Sequence, residues 1–168
     1  TNTERGSIVV VKDAVPDAAQ DFTFGGTFGA FSLDDDLDPT LPNTRTFSNL
    51  FPGTYVVNEG AVSGWDLTGA SCSDGSPVTA IFVDPGETVT CTFTNTEQGT
   101  IRISKDSLPN DAQDFAFTGS GPSGYDFGGG FSLDDDLDGT LPNTRTFNFL
   151  VPGTYTVTEG AVAGRFDL

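Results

Sequence analysis

The chain repeats itself, and the repeat limits what it can fold into. GSIVVVKDAVPDAAQDFTF at residues 6–24 returns as GTIRISKDSLPNDAQDFAF at 99–117. FSLDDDLDPTLPNTRTF (31–47) returns as FSLDDDLDGTLPNTRTF (131–147), and PGTYVVNEGAVSGWDL (52–67) as PGTYTVTEGAVAGRFDL (152–168). Two copies at this spacing divide the 168 residues into small domains in tandem. The second copy carries seven more residues within GSGPSGYDFGGG (119–130), a composition that belongs in a surface loop. The opening TNTERG matches TNTEQG at 94–99, and the second copy has no counterpart of residues 68–93. Residues 1–5 therefore read as the tail of a preceding module, and 6–98 as a complete module. Residues 99–168 read as a second copy that lacks its last strands and is completed from outside this segment. The expected partners are copies of itself, head to tail, in one long chain or between subunits.

Helical periodicity is absent, and short alternating stretches near residues 7–12, 21–24, 44–47, 54–59, 65–67, 78–83 and 88–94 read as strands. Pro52-Gly53 and Pro85-Gly86 read as tight turns. Seven or so short strands in a module of about 93 residues predict an all-β chain of tandem two-sheet sandwiches, immunoglobulin-like or prealbumin-like. The expected core is Ile8, Val10, Phe22, Phe24, Phe31, Phe47, Tyr55, Val57, Trp65, Ile81 or Phe82, and Phe93.

Three strands end an apolar face on a polar side chain. In TVTCTFTNTE the stripe Val89, Cys91, Phe93 ends at Asn95. Ile8 and Val10 lead to Lys12, and Tyr55 and Val57 lead to Glu59; the second copy repeats these as Lys105 and Glu159. Burial lowers the pKa of a lysine and raises that of a glutamate, leaving a neutral amine beside a protonated acid. Such an amine is a nucleophile and such an acid a proton shuttle, so attack of Lys12 on the Asn95 amide would form an isopeptide bond. The bland alternative is three strand-end residues, with lysine snorkelling to water and Glu59 and Asn95 solvated. The second copy has no later asparagine. The residue matching Asn95 is Asn2, so Lys105 would be served by the Asn2 equivalent that follows it in an array.

Cys72 and Cys91 are the two cysteines. A disulfide closing their loop of about 20 residues would contribute about 3 kcal/mol and imply an oxidising, extracellular setting; two buried thiols are the alternative. Each LDDDLD block carries aspartates two apart, Asp34, Asp36 and Asp38, then Asp134, Asp136 and Asp138. With Gly139 the second block matches the opening of a calcium loop, although it lacks a bidentate glutamate and flanking helices. Ca2+ is the expected ligand, and a solvated acidic loop with Arg45 and Arg145 as counter-charges is the alternative. The formal charge of −17 argues against nucleic acid and anionic membranes as partners. There is no histidine, nucleophile arrangement or phosphate-cradling loop, so no enzyme is expected beyond autocatalytic crosslinking. Outward threonines offer acceptors for O-glycans.

VVKD on the first strand, GTYTVTE, the G-W segment after GTYVVNE, and a closing TFTN resemble the prealbumin-like, B-type repeats of bacterial collagen adhesins and sortase-assembled pilins. The acidic, cysteine-containing variety found in tandem on large secreted surface proteins is the more similar. The resemblance implies a prealbumin-like sandwich and isopeptide roles for Lys12, Glu59 and Asn95. The cysteine pair and the LDDDLD block depart from the usual adhesin pattern. The expected function is a structural repeat of an extracellular or cell-surface fibre, stalk or filament, stapled by a disulfide and isopeptide bonds. An adhesin module contacting a host, matrix or glycan ligand through the 119–130 loop or exposed Phe and Tyr side chains is the alternative.

Overall fold

The computed structural model describes residues 2–36, 38–110, 112–136 and 138–161. The chain divides into two compact units, Thr1–Glu97 and Gln98–Leu168. Among the described residues of the first unit the strands are β1 (Gly6–Val15), β2 (Phe22–Gly26), β3 (Phe31–Leu33), β4 (Thr44–Leu50), β5 (Gly53–Tyr55), β6 (Val57–Glu59), β7 (Trp65–Cys72), β8 (Ile81–Val83) and β9 (Thr88–Glu97). The stretch expected as one strand at 54–59 is two, β5 and β6, which join different sheets, and Phe31–Leu33 forms a strand not anticipated from the sequence.

One layer is the sheet β4-β1-β9-β7; the other combines β3-β2-β6 with the ribbon β5-β8. β9 is the middle of the first layer. It runs parallel to β1 from Ser7↔Thr88 to Val15↔Thr96 and antiparallel to β7. Alternation in TVTCTFTNTE places Val89, Cys91, Phe93 and Asn95 inside and the threonines outside, because successive strand residues face opposite sides. β1 does the same with Ile8, Val10, Lys12 and Ala14. Between the layers Phe93 meets Phe24 edge-on at 5.2 Å, and Ile8, Val10, Phe22, Leu33, Val57, Ile81 and Val83 complete a closed core. Ile81 faces in and Phe82 out; Phe47, Tyr55 and Trp65 pack at the core's edge. The β8–β9 turn closes through Glu87 N–H donating to Asp84 O, with Gly86 at φ +76, a conformation that favours glycine.

The second unit repeats the plan with β10 (Gly99–Ser104), β11 (Phe115–Ser120), β12 (Phe131–Leu133), β13 (Thr144–Leu150) and β14 (Thr156–Glu159). The sheets are β10-β13 and β12-β11-β14. No strand equivalent to β9 lies beside β10 among the described residues, so Ile101 and Ile103 are half-buried where Ile8 and Val10 are fully enclosed. Residues 162–168, which end the PGTYTVTEGAVAGRFDL repeat, lie outside the described residues.

The 119–130 insertion is not a free surface loop. Its Phe127 is 1% exposed and packs edge-on against Phe147 at 4.8 Å and Tyr125 at 5.0 Å. In the first unit Phe28 takes a related position, stacked on Phe47 at 4.0 Å. Phe127→Ala is expected to destabilise the second unit by about 3–5 kcal/mol, read as a lowered denaturation midpoint for that unit in the full chain. An unchanged midpoint would mean that the ring does not support the core.

Candidate functional site

Lys12 is 1% exposed, and the register carries its side chain along β9. Its Nζ donates to Asn95 Oδ1 at 3.0 Å, to Asp13 O at 2.8 Å and to Phe93 O at 3.2 Å. The Phe22 ring lies beneath the amine, 4.0 Å from Nζ to the centroid. Asn95 is itself 2% exposed. Snorkelling to water is therefore not what Lys12 does: amine and amide touch inside the sandwich.

Glu59, at the end of β6, approaches from the opposite layer. Both of its carboxylate oxygens are sealed from solvent and neither accepts a hydrogen bond of good geometry, although Asn95 is near enough to favour the ionised form. Burial raises the Glu59 pKa, against the opposing pull of the Lys12 charge and the Asn95 amide. Burial likewise lowers the Lys12 pKa, opposed by Glu59, Asp13 and Asp35. A cavity of about 290 Å³ opens beside the pair, lined by Glu59, Val62, Trp65, Asp66 and Asn95 among others. Burial therefore pushes both groups toward their uncharged forms, beside a primary amide.

In the second unit the arrangement differs. Lys105 Nζ pairs directly with Glu159, at 3.1 Å to Oε1 and 3.4 Å to Oε2, over the Phe115 ring at 3.9 Å. No amide stands between them. Asn2 lies exposed ahead of β1 in the first unit.

Cys72 and Cys91 sit directly opposite each other on β7 and β9 and are joined as a disulfide. It ties β9 to one neighbour, while Lys12 and Asn95 meet across the contact with the other.

The acidic blocks follow β3 and β12. Asp34, Asp36 and Asp38 each bring a carboxylate oxygen within 4.8 Å of the others, and Asp134, Asp136 and Asp138 do the same. Burial, and then the charge of Asp36, raise the pKa of Asp34; hydrogen bonds from Thr40 lower that of Asp38. Sequence reasoning missed the role of the remaining aspartates: Asp35 Oδ2 accepts from Ala14 N at 2.9 Å, and Asp135 Oδ2 from Ser107 N at 3.0 Å. Each anchors the backbone two residues past the lysine. Arg45 and Arg145 lie instead over phenylalanine rings, 5.0 Å from Phe31 and 5.3 Å from Phe131.

The family model described as a prealbumin-like fold domain matches residues 8–97, from the lysine strand to just past Asn95. The chain belongs to this family. No curated protein sequence matches significantly. Among solved structures the chain is similar to the Bacillus anthracis TIE protein, at 16% identity over 95% of this chain and 29% of that one, TM-score 0.40. It is also similar to a Streptococcal ancillary pilin, at 17% identity over 100% and 57%, TM-score 0.40. A third is the major pilin T-13 of Streptococcus pyogenes serotype GAS131465, at 14% identity over 97% and 84%, TM-score 0.35. The chain thus spans 29% and 57% of the first two, and likenesses this distant carry no argument about function.

The raised Glu59 pKa has a pH signature in an Asn95→Ala background, which removes the amide. Above the ordinary value of 4.5 the folded state still holds a proton that the unfolded carboxyl has released. Stability is therefore expected to fall as pH rises from 4.5 through the raised folded value, then to level off. The Asn95→Ala/Glu59→Gln double variant should lose that slope. Parallel pH dependences in urea melts of the two would show that Glu59 holds no such proton.

Proposed function

We propose that the chain is a structural module of an extracellular fibre, stalk or surface filament, joined head to tail with copies of itself. Its staples are the Cys72–Cys91 disulfide and an isopeptide bond between Lys12 and Asn95. One observation carries the reading: a buried lysine amine 3.0 Å from a buried asparagine oxygen, with a sealed carboxyl beside both. In the bond-forming step the neutral Lys12 nitrogen attacks Cγ of Asn95 while protonated Glu59 stabilises the developing oxyanion. The Cγ–Nδ2 bond then breaks, Glu59 relays the amine's proton to the leaving nitrogen, and one ammonia departs. The cavity beside Glu59 and Asn95 gives it a way out. Asp13 O and Phe93 O can hold the two hydrogens of the neutral amine, and loss of the proton now donated to Asn95 Oδ1 would leave the lone pair on the side of the amide.

Such a bond would fit a tension-bearing role. β1 enters the unit and β9 leaves it, and the two are parallel neighbours, so opposed pulling on the ends shears their whole ladder. A Lys12–Asn95 link would carry the load directly from one to the other. In the second unit we propose that the Asn2 equivalent of a following copy completes Lys105 and Glu159. No helix among the described residues is long and apolar enough to cross a membrane.

A second reading, an adhesin module, is favoured by one feature. Phe149, 66% exposed and at φ +59, borders a cavity of about 270 Å³ with Tyr125, Val151 and Tyr155. Electron microscopy separates the two, since long fibres with an axial repeat support the structural role and monodisperse ligand-binding particles the adhesin.

The chemistry is tested by intact mass. The full chain is expected to weigh one ammonia less than its disulfide-bonded sequence, with peptides containing residues 12 and 95 linked. Lys12→Ala, Asn95→Ala and Glu59→Gln should each restore the missing mass. A wild-type chain with no ammonia loss would sink the isopeptide while leaving the fold and disulfide in place.

A further inference from the structure

The two acidic blocks are alike in sequence, but the second contains a buried carboxylate oxygen that has no donor. Asp134 is 1% exposed, and its Oδ2 accepts from Thr140 Oγ1 at 3.1 Å. Its Oδ1 is sealed from solvent and accepts no hydrogen bond, and among the described residues no lysine or arginine pairs with it. A second orphaned oxygen lies against the same block. Ser107, 4% exposed, donates its N–H to Asp135, yet its Oγ is buried without a partner. The corresponding residue in the first unit is Ala14, which has no hydroxyl.

An anionic oxygen withdrawn from water and left without a donor is costly, and an oxygen-preferring cation relieves that cost. The surroundings suit one. Asp134, Asp136 and Asp138 converge to within 4.8 Å, and no nitrogen or sulfur ligand belongs to the set. The residue after Asp138 is Gly139 at φ +86, a sharp turn that a glycine makes readily; the first block has Pro39 there, whose ring forbids that angle. Asp136 and Asp138 are more exposed than Asp134, so an ion would enter from solvent and meet the buried carboxylate last.

We propose that Asp134, Asp136 and Asp138 form a divalent-cation site of the calcium class in the second unit. It is independent of the crosslink chemistry, because Lys105 and Glu159 take no part in it.

Calcium titrated calorimetrically into the full chain at physiological salt is expected to fill a saturable site with a dissociation constant on the order of 10⁻⁴ M. Magnesium, which demands stricter octahedral geometry, should bind more weakly. Asp136→Asn and Asp138→Asn change exposed or half-exposed side chains and should each weaken that phase about 10-fold or more, because affinity follows ligand charge. Asp17→Asn removes an exposed charge elsewhere and should leave it unchanged. Circular dichroism confirms that each variant is folded. The proposal is overturned if wild type shows no saturable calcium binding. It is equally overturned if Asp17→Asn weakens binding as much as Asp138→Asn, since the ions would then be a diffuse response to the charge of −17.

Discussion

The first unit depends on how a buried amine is accommodated. An isolated ammonium in a sandwich core costs several kcal/mol, and the chain answers with two carbonyls, an amide oxygen and an aromatic face around Lys12. The answer works only because β1 and β9 are parallel neighbours. Their register sets Lys12 beside Phe93 and leaves Asn95 one inward position further along, within reach of a lysine stem. The same pairing that closes the core also brings the amine and the amide together.

β9 consequently serves as the spine of the module. It is hydrogen-bonded on both sides, bridged to β7 by the disulfide and in polar contact with β1 at its far end. The second unit shows what β9 contributes. With no such strand beside β10 among the described residues, the equivalent lysine pairs directly with its glutamate, and both side chains are partly exposed. Lys12 and Glu59 make no such close pair; the amide takes the amine, and the acid is left sealed without a donor. Burial thus raises the pKa of the first unit's acid, whereas the second unit's acid pairs directly with its lysine.

The acidic blocks look uniform in sequence but divide their work in the structure. One aspartate of each run, Asp35 or Asp135, accepts from the backbone N–H two residues past the lysine, and the flanking ones converge on each other. The arginines read as their counter-charges cover aromatic rings instead, which protects the core edge at Phe31 and Phe131. A Gly for Pro exchange and a Ser for Ala exchange leave the second block better provided with oxygens and better able to turn.

Alternation alone decided much of this protein. The period of two in TVTCTFTNTE and SIVVVK fixed which side chains face the core, Lys12 and Asn95 included, because a strand cannot bury one face without burying every second residue. The repeat announced two units, and the prealbumin-like sandwich was legible in the strand count and the PGTY motif. Strand identity was less so: three-residue strands such as β3 and β6 carry too few residues for a period to show. Nor does composition reveal that the Gly-rich insertion is anchored by Phe127, since one aromatic in a polar loop has no pattern around it. What the tertiary structure alone decided is pairing. Sequence places Lys12, Glu59 and Asn95 on inward faces of three strands, but which strands are neighbours, and in what register, follows from closing the core. Contact distances are set by that closure, and in the second unit the same local sequence therefore makes a different bond.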